Sequence, residues 1–71
     1  MNSTSIASIG YEPLSRELEI EFRQSGAIYR YFEVPIEEYR TFMAADSKGR
    51  YLDQTFKPHA YRYAVVRRAT P

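Results

Sequence analysis

Apolar and polar residues alternate most regularly in the stretch "ELEIEFR". Leu18, Ile20 and Phe22 lie on one side of an extended chain, and the charged residues between them lie on the other. Because successive strand side chains face opposite ways, this pattern predicts a half-buried antiparallel strand with one wet face. The short glycine-containing loop 24–26 then predicts a hairpin into a second strand, "AIYRYFEV".

The pattern does not decide which face of this second strand is buried. Tyr29 and Tyr31 lie on one face, and Arg30 lies on the opposite face. Because both faces are partly apolar, we expect other parts of the protein to pack on both sides of the strand. Upstream, "SIASIGY" predicts another strand, in which Gly10 indicates a bulge or a close backbone approach. The segment "EPLSR" between the first two strands predicts a turn.

A change to helical spacing follows Pro35, which is a favourable first residue of a helix. Glu37 and Glu38 fall in the first turn, where the helix dipole stabilises negative charge. The spacing predicts a helix over 35–45 whose buried stripe consists of Ile36, Tyr39, Phe42 and Met43.

A second, shorter helical turn is predicted after the break at 46–47. Ser47 is placed to cap it, Leu52 and Phe56 lie four apart and face inward together, and Pro58 ends it. The last element, "AYRYAVVRR", predicts a strand. The chain therefore predicts an α+β fold, with a small antiparallel sheet of three to four strands packed against one main helix, in the order β-β-β-α-short helical turn-β. We expect a single domain over 1–71, frayed at 1–4 and 69–71.

Composition narrows the classes of protein and site. The 71 residues include no cysteine, which excludes disulfides and thiolate metal sites. Seven Tyr and four Phe supply large side chains for a small core. The polar N-terminus is not that of a signal peptide, and no apolar run is long enough to span a bilayer, so we expect a cytoplasmic protein without a membrane partner.

Charge is divided unevenly along the chain. Residues 1–46 hold four basic and eight acidic residues, a net charge of −4, whereas residues 47–71 hold six basic residues and one acidic residue, a net charge of +5. Such a division is typical of a surface for an anionic partner. On the charge division alone, however, we favour attraction between the two halves of the fold, or a solvated face.

Recognisable catalytic and metal-binding motifs are absent. His59 is the one histidine and lacks the partners of a zinc site, so we expect a loop histidine, no metal and no cofactor. The glutamates of "ELEIEFR" predict a solvated strand face; the alternative is that they pair with a cross-strand partner, Arg16 or Arg62. We predict that the protein is not an enzyme.

Several segments together resemble the KTSC domain, a small module found at the C-terminus of some lysyl-tRNA synthetases and as a free-standing bacterial protein. They are "TSIASIGYEP", "LEIEF", "YRYFEVP", "EEYRTFMAA" and "SKGRYLDQTFKPHAYRY". The central Y-x-Y motif of that family is matched by Tyr29 and Tyr31. The resemblance implies a fold and, through the synthetase context, suggests RNA binding; it implies no catalytic residue.

Two hypotheses for function remain open. In the first, basic residues hold RNA phosphates and exposed tyrosines stack on unpaired bases. The candidates for this surface are Arg62, Arg67, Arg68, Lys57, Tyr61, Tyr63, Lys48, Arg50 and Arg30. In the second, the last strand forms a sheet edge that pairs with a protein partner or with a second copy in a homodimer.

The triplet "YRY" occurs twice, and the two copies predict different roles. For Tyr29 and Tyr31 we favour packing across the sheet, which would turn Arg30 outward. The second copy, Tyr61 to Tyr63, lies in the basic half of the chain and is the better candidate to meet an anionic partner. For Tyr11 and Tyr51 the expectation is packing with a solvent-exposed hydroxyl.

Overall fold

The structure, a computed structural model, describes residues 6–68. Four strands form one antiparallel sheet in the order β1-β2-β3-β4: β1 (Ile6–Glu12), β2 (Glu17–Phe22), β3 (Ile28–Tyr31) and β4 (Tyr63–Arg67). Between β3 and β4 lie α1 (Ile36–Ala44), α2 (Lys48–Tyr51), a π-helical turn (Leu52–Phe56) and a 3₁₀ turn (Lys57–His59). The predicted α+β fold and its element order are confirmed, while the predicted frayed termini lie outside the described residues.

The β2–β3 hairpin follows the predicted pattern. Leu18 pairs with Tyr31 and Ile20 with Tyr29, so these four side chains share one face of the sheet. Gly26 closes the loop with a φ of 73°, a conformation that glycine adopts without steric cost.

The bulge in β1 lies elsewhere than predicted. The register shifts between Ile6 and Ser8, whereas Gly10 pairs regularly with Glu19. A side-chain carbon at Gly10 would meet no atom within 4 Å, so the close backbone approach predicted there is also wrong. The reason is that Gly10 lies on the open face of the sheet, where nothing packs against it.

The helical segment agrees with its prediction except at its end, because Pro58 lies within the 3₁₀ turn Lys57–His59 and does not end the segment. Helix α1 begins one residue after Pro35, and the Ser47 hydroxyl accepts a hydrogen bond from the Arg50 backbone N–H at 3.2 Å, as the predicted cap requires. Leu52 and Phe56 are both buried. The predicted stripe of α1 is only partly correct, because Phe42 and the carboxylate residue Glu38 are its buried members.

The core lies between the sheet and these helical segments. Its largest fully buried side chains are Phe42, Phe56, Leu18, Ile20, Leu52 and Val34. Tyr31 is buried among them, with its ring edge-on to Phe56 at a centroid distance of 4.9 Å. Tyr29 and Tyr31 therefore lie on the helix side of the sheet, which confirms their packing role and leaves Arg30 on the open face.

Candidate nucleic-acid interface

The two YRY triplets lie on neighbouring strands. Strands β3 and β4 pair Tyr31 with Tyr63 and Tyr29 with Val65, so the side chains of all four residues lie on the helix side. The Tyr29 and Tyr63 rings stack at a centroid distance of 5.3 Å, and the Tyr31 and Tyr63 rings lie 5.5 Å apart. The sheet thus assembles one array of rings from two distant parts of the sequence.

This array borders an open groove, because Tyr31 of β3 is buried whereas every residue of β4 is exposed. Two adjoining depressions of about 770 and 380 Å³ share Tyr29, Tyr31 and Lys57. We call the surface formed by Tyr29, Tyr31, Tyr63, Val65, Lys57 and Arg68 the tyrosine groove. Tyr63 and Val65 remain 54% and 48% exposed, so a ligand has direct access to a ring and to an apolar side chain.

The charge of the tyrosine groove is positive. Lys57 and Arg68 line it, and among the described residues its lining includes no carboxylate. Lys57 also contacts Asp53 one helical turn earlier, with 3.4 Å between Nζ and Oδ1, and both side chains are largely exposed. Exposed pairs of this kind are weak, so the Lys57 ammonium remains available to an anion.

Two of the predicted RNA-binding arginines lie on the opposite, open face. Arg30 Nη2 lies 2.6 Å from Glu19 Oε2, and Arg67 Nη2 lies 3.0 Å from Glu21 Oε2. Arg67 also donates to the Gly26 carbonyl at 2.8 Å. The glutamate row of β2 is thus paired with β3 and β4 side chains, and the predicted partners Arg16 and Arg62 are wrong because the register brings Arg30 and Arg67 opposite instead.

The other basic candidates are dispersed. Arg62 lies over the Phe32 ring at 5.3 Å from its centroid, in a cation–π contact on the open face. Lys48 donates to the Ala45 carbonyl at 3.3 Å, and Arg50 is exposed on α2. The fold therefore brings Lys57, Arg68 and the tyrosines together and leaves the remaining basic candidates outside the groove.

A buried carboxylate supports the chain that leads into β4. Glu38 is 8% exposed and accepts three hydrogen bonds, from the Tyr51 hydroxyl at 2.5 Å, from the Tyr61 hydroxyl at 2.8 Å and from His59 Nδ1 at 2.6 Å. Because a carboxylate only accepts, Nδ1 must carry the proton in this contact. Glu38 on α1 thereby bonds both neighbours of Ala60, His59 and Tyr61. The Ala60 backbone between them is left-handed, with a φ of 58°.

The family model of the KTSC domain matches residues 2–63 of the chain. The chain belongs to the KTSC family. A crystal structure of a KTSC domain protein from Yersinia pestis superposes with a TM-score of 0.81 at 41% identity, over 93% of this chain and 90% of that one.

Two sequence relatives show how KTSC domains occur. A Stutzerimonas stutzeri protein called "Uncharacterized protein" is 49% identical over 63 residues, which are 89% of this chain and 87% of the relative. A lysine–tRNA ligase of Nostoc is 40% identical over 52 residues, which are 73% of this chain but only 9% of the ligase. The KTSC sequence therefore occurs both in proteins of about this length and within a much longer one.

Sequence reasoning missed the cluster around Glu38 in this KTSC domain. The expected loop histidine, His59, is bound to a carboxylate, and the Tyr51 hydroxyl is not left to solvent. The Tyr11 hydroxyl likewise donates to the Val34 carbonyl at 2.6 Å. The signal available in the sequence was the position of Glu38, four residues before Phe42 on the buried side of α1.

The environment of this cluster lowers the pKa of Glu38 and raises the pKa values of Tyr51 and Tyr61. Burial raises the pKa of the Glu38 carboxyl, but hydrogen bonds from Tyr51, Tyr61 and His59 outweigh that effect and leave the pKa below its ordinary value of 4.5. Burial, followed by the hydrogen bond to Glu38, raises the pKa of Tyr51 to about 12. The same two causes raise the pKa of Tyr61.

The KTSC domain is expected to be most stable between about pH 4.5 and pH 10. The lowered pKa of Glu38 means that its stabilisation is complete above the unfolded pKa and is lost as the pH falls through the folded one. The raised pKa of Tyr51 means that its stabilisation is complete below pH 10.0 and is lost as the pH rises through about 12. Melting temperatures measured across this range test both limbs.

The Glu38→Gln variant isolates the contribution of the carboxylate to this pH profile. Its melting temperature should fall less steeply in acid than that of the wild type, because glutamine does not titrate. If the melting temperatures of the two proteins fell equally steeply in acid, the stabilising role of the Glu38 carboxylate would be contradicted.

Each helix within residues 6–68 is too short or too polar to span a bilayer. Within the same range, no three His, Cys, Asp or Glu side chains are grouped so that they could hold a metal ion.

Proposed function

We propose that this KTSC domain is a non-enzymatic module that binds single-stranded RNA in the tyrosine groove. The observation that carries the proposal is the exposed tyrosine array, with a lysine and an arginine beside it and no carboxylate among its described lining residues. Aromatic rings stack on unpaired bases, and basic side chains neutralise the phosphates between them.

Each part of the groove has a distinct role. Tyr63 is the platform for a base, because its ring is exposed and is backed by Tyr29 at 5.3 Å. Arg68 and Lys57 hold phosphates at the margins of the groove. Tyr31 is buried against Phe56 and acts by supporting Tyr63, to which its ring lies tilted by 41°.

The relatives add a biological context to the proposal. The Nostoc relative is called a lysine–tRNA ligase, and the name of that protein gives tRNA as its substrate. A small appended module that binds unpaired nucleotides would suit such an enzyme. For this chain the proposal rests on the chemistry of the groove, with the relative as additional support.

NMR titration with a short single-stranded RNA at low and moderate salt tests the proposed function. We expect shifts at Tyr29, Tyr63, Val65 and Arg68, and no comparable shifts at Arg30 on the open face. Tyr63→Ala should weaken binding about tenfold, as the removal of one stacking platform does. Arg68→Gln should lower the slope of log affinity against log salt by about 0.7.

The matched control is Arg40→Gln, which removes one exposed positive charge from α1 outside the groove. It should leave affinity nearly unchanged. If the RNA shifts no groove residue at low salt, or if Arg40→Gln and Arg68→Gln weaken binding equally, the groove is not an RNA site.

A further inference from the structure

Strand β4 forms an open edge of the sheet. Its one strand neighbour within the described residues is β3, and all five of its residues, Tyr63–Arg67, are exposed. Val65 and Val66 are apolar and about half exposed. An exposed strand with apolar side chains is a surface on which another extended chain can pair.

The direction of the free main-chain groups follows from the hydrogen bonds to β3. The Phe32 N–H donates to the Arg62 carbonyl at 2.8 Å, and the pairs Tyr31–Tyr63 and Arg30–Ala64 continue that register. Antiparallel strands alternate hydrogen-bonded and non-hydrogen-bonded pairs, so Arg62 and Ala64 direct their main-chain groups toward β3. Tyr63 and Val65 therefore direct their N–H and C=O groups outward.

The charge around this edge selects the partner. No Asp or Glu follows Asp53 in the sequence, whereas Arg62 precedes β4 and Arg67 and Arg68 end and follow it. A second copy paired antiparallel about Val65 would place Arg62 opposite Arg68 twice, and like charges directly opposite are destabilising. An incoming strand with carboxylates meets attraction at both ends instead.

We propose that β4 docks an extended acidic peptide, which adds a fifth strand to the sheet through the main-chain groups of Tyr63 and Val65. Main-chain hydrogen bonds would supply affinity, and alternate apolar side chains of the peptide would lie over the tyrosine groove. This inference goes beyond RNA binding and does not depend on it. Since Tyr63 and Val65 also line the groove, peptide and RNA should compete where both bind.

A short blocked peptide of alternating Glu and Val residues is the probe, with its Lys–Val counterpart as the charge control. Amide hydrogen exchange of the wild-type protein, without RNA, should show new protection at Tyr63 and Val65 with the acidic peptide and little with the basic one. Val65→Pro removes an outward N–H and leaves the β3 ladder unaltered, so it should weaken the acidic peptide about tenfold.

Several results would overturn the proposal. They include equal binding of the two peptides, protection confined to the open face, and unchanged affinity in a folded Val65→Pro variant. Protection of the same amides by rising protein concentration alone would show that the edge pairs with a second copy. Protection by RNA but not by peptide would assign the edge to nucleic acid. The exchange measurement needs no variant and stands if Val65→Pro does not fold.

Discussion

Replacing Glu38 by alanine should lower the free energy of unfolding by about 3 kcal/mol, and the melting temperature by about 15 °C. The variant leaves the hydroxyls of Tyr51 and Tyr61 and Nδ1 of His59 without their common acceptor. Unsatisfied polar groups at a buried site cost more than the net gain of the bonds they lose. His59 is about half exposed and recovers part of its loss from water.

Two variants make this prediction specific to Glu38. Glu37→Ala is the matched control, because Glu37 occupies the same first turn of α1 but is exposed. It should cost about 0.5 kcal/mol through the helix dipole. Glu38→Gln keeps the volume and one acceptor oxygen and should be intermediate. Urea unfolding monitored by circular dichroism measures all three, and a Glu38→Ala variant as stable as Glu37→Ala would refute the role of the cluster.

The second large effect is expected at Phe56, where alanine should cost about 4 kcal/mol. Phe56 is 1% exposed, and its ring contacts those of Tyr31, Phe42 and Tyr61 at centroid distances of 4.9 to 5.3 Å. Removing the ring leaves a cavity at the junction between the helical turns and the sheet. A domain of this size has a total stability of about 4–10 kcal/mol, so the variant should lose a large share of its stability.

Phe56→Leu keeps most of the volume and provides a folded intermediate for the same measurement. Leu14→Ala is the control, because Leu14 is 96% exposed in the β1–β2 turn and should change stability by less than about 0.5 kcal/mol. Near-ultraviolet circular dichroism should show loss of fixed tyrosine packing in Phe56→Leu before secondary structure is lost. Equal stability of Phe56→Ala and Leu14→Ala would contradict the assigned core.

Glu38 and Phe56 support the tyrosine groove as well as the global stability of the fold. Tyr61 borders the smaller depression beside Tyr63 and donates its hydroxyl to Glu38, while the Phe56 ring packs edge-on against Tyr31. Variants at Glu38 and Phe56 that remain folded should therefore bind groove ligands more weakly, although neither residue contacts the ligand. In Tyr63→Ala, by contrast, affinity should fall with little change in stability, because the side chain is mostly exposed.

The local sequence pattern was sufficient to predict the strands and helices of this fold. The alternation around Ile20, the helical spacing around Phe42 and the cap at Ser47 each report a conformation set by neighbouring residues, and the structure confirms them. The groove was only partly foreseen. Tyr63, Arg68 and Lys57 were candidates, and strand alternation already turned Arg30 away from the tyrosines, but nothing in the linear sequence separates them from Arg67, which a register shift in β4 places on the other face.

The sequence by itself determined the order of strands and helices and the basic, tyrosine-bearing character of the C-terminal half, because periodicity and composition are local properties. Only the tertiary structure decided which face of the sheet the helices cover, which glutamates each arginine meets and where the β1 bulge lies. It also brought Glu38 to Tyr51, His59 and Tyr61, which are 13 to 23 residues away along the chain. These choices depend on strand register and on packing between distant segments, and such contacts leave no periodic trace in the sequence.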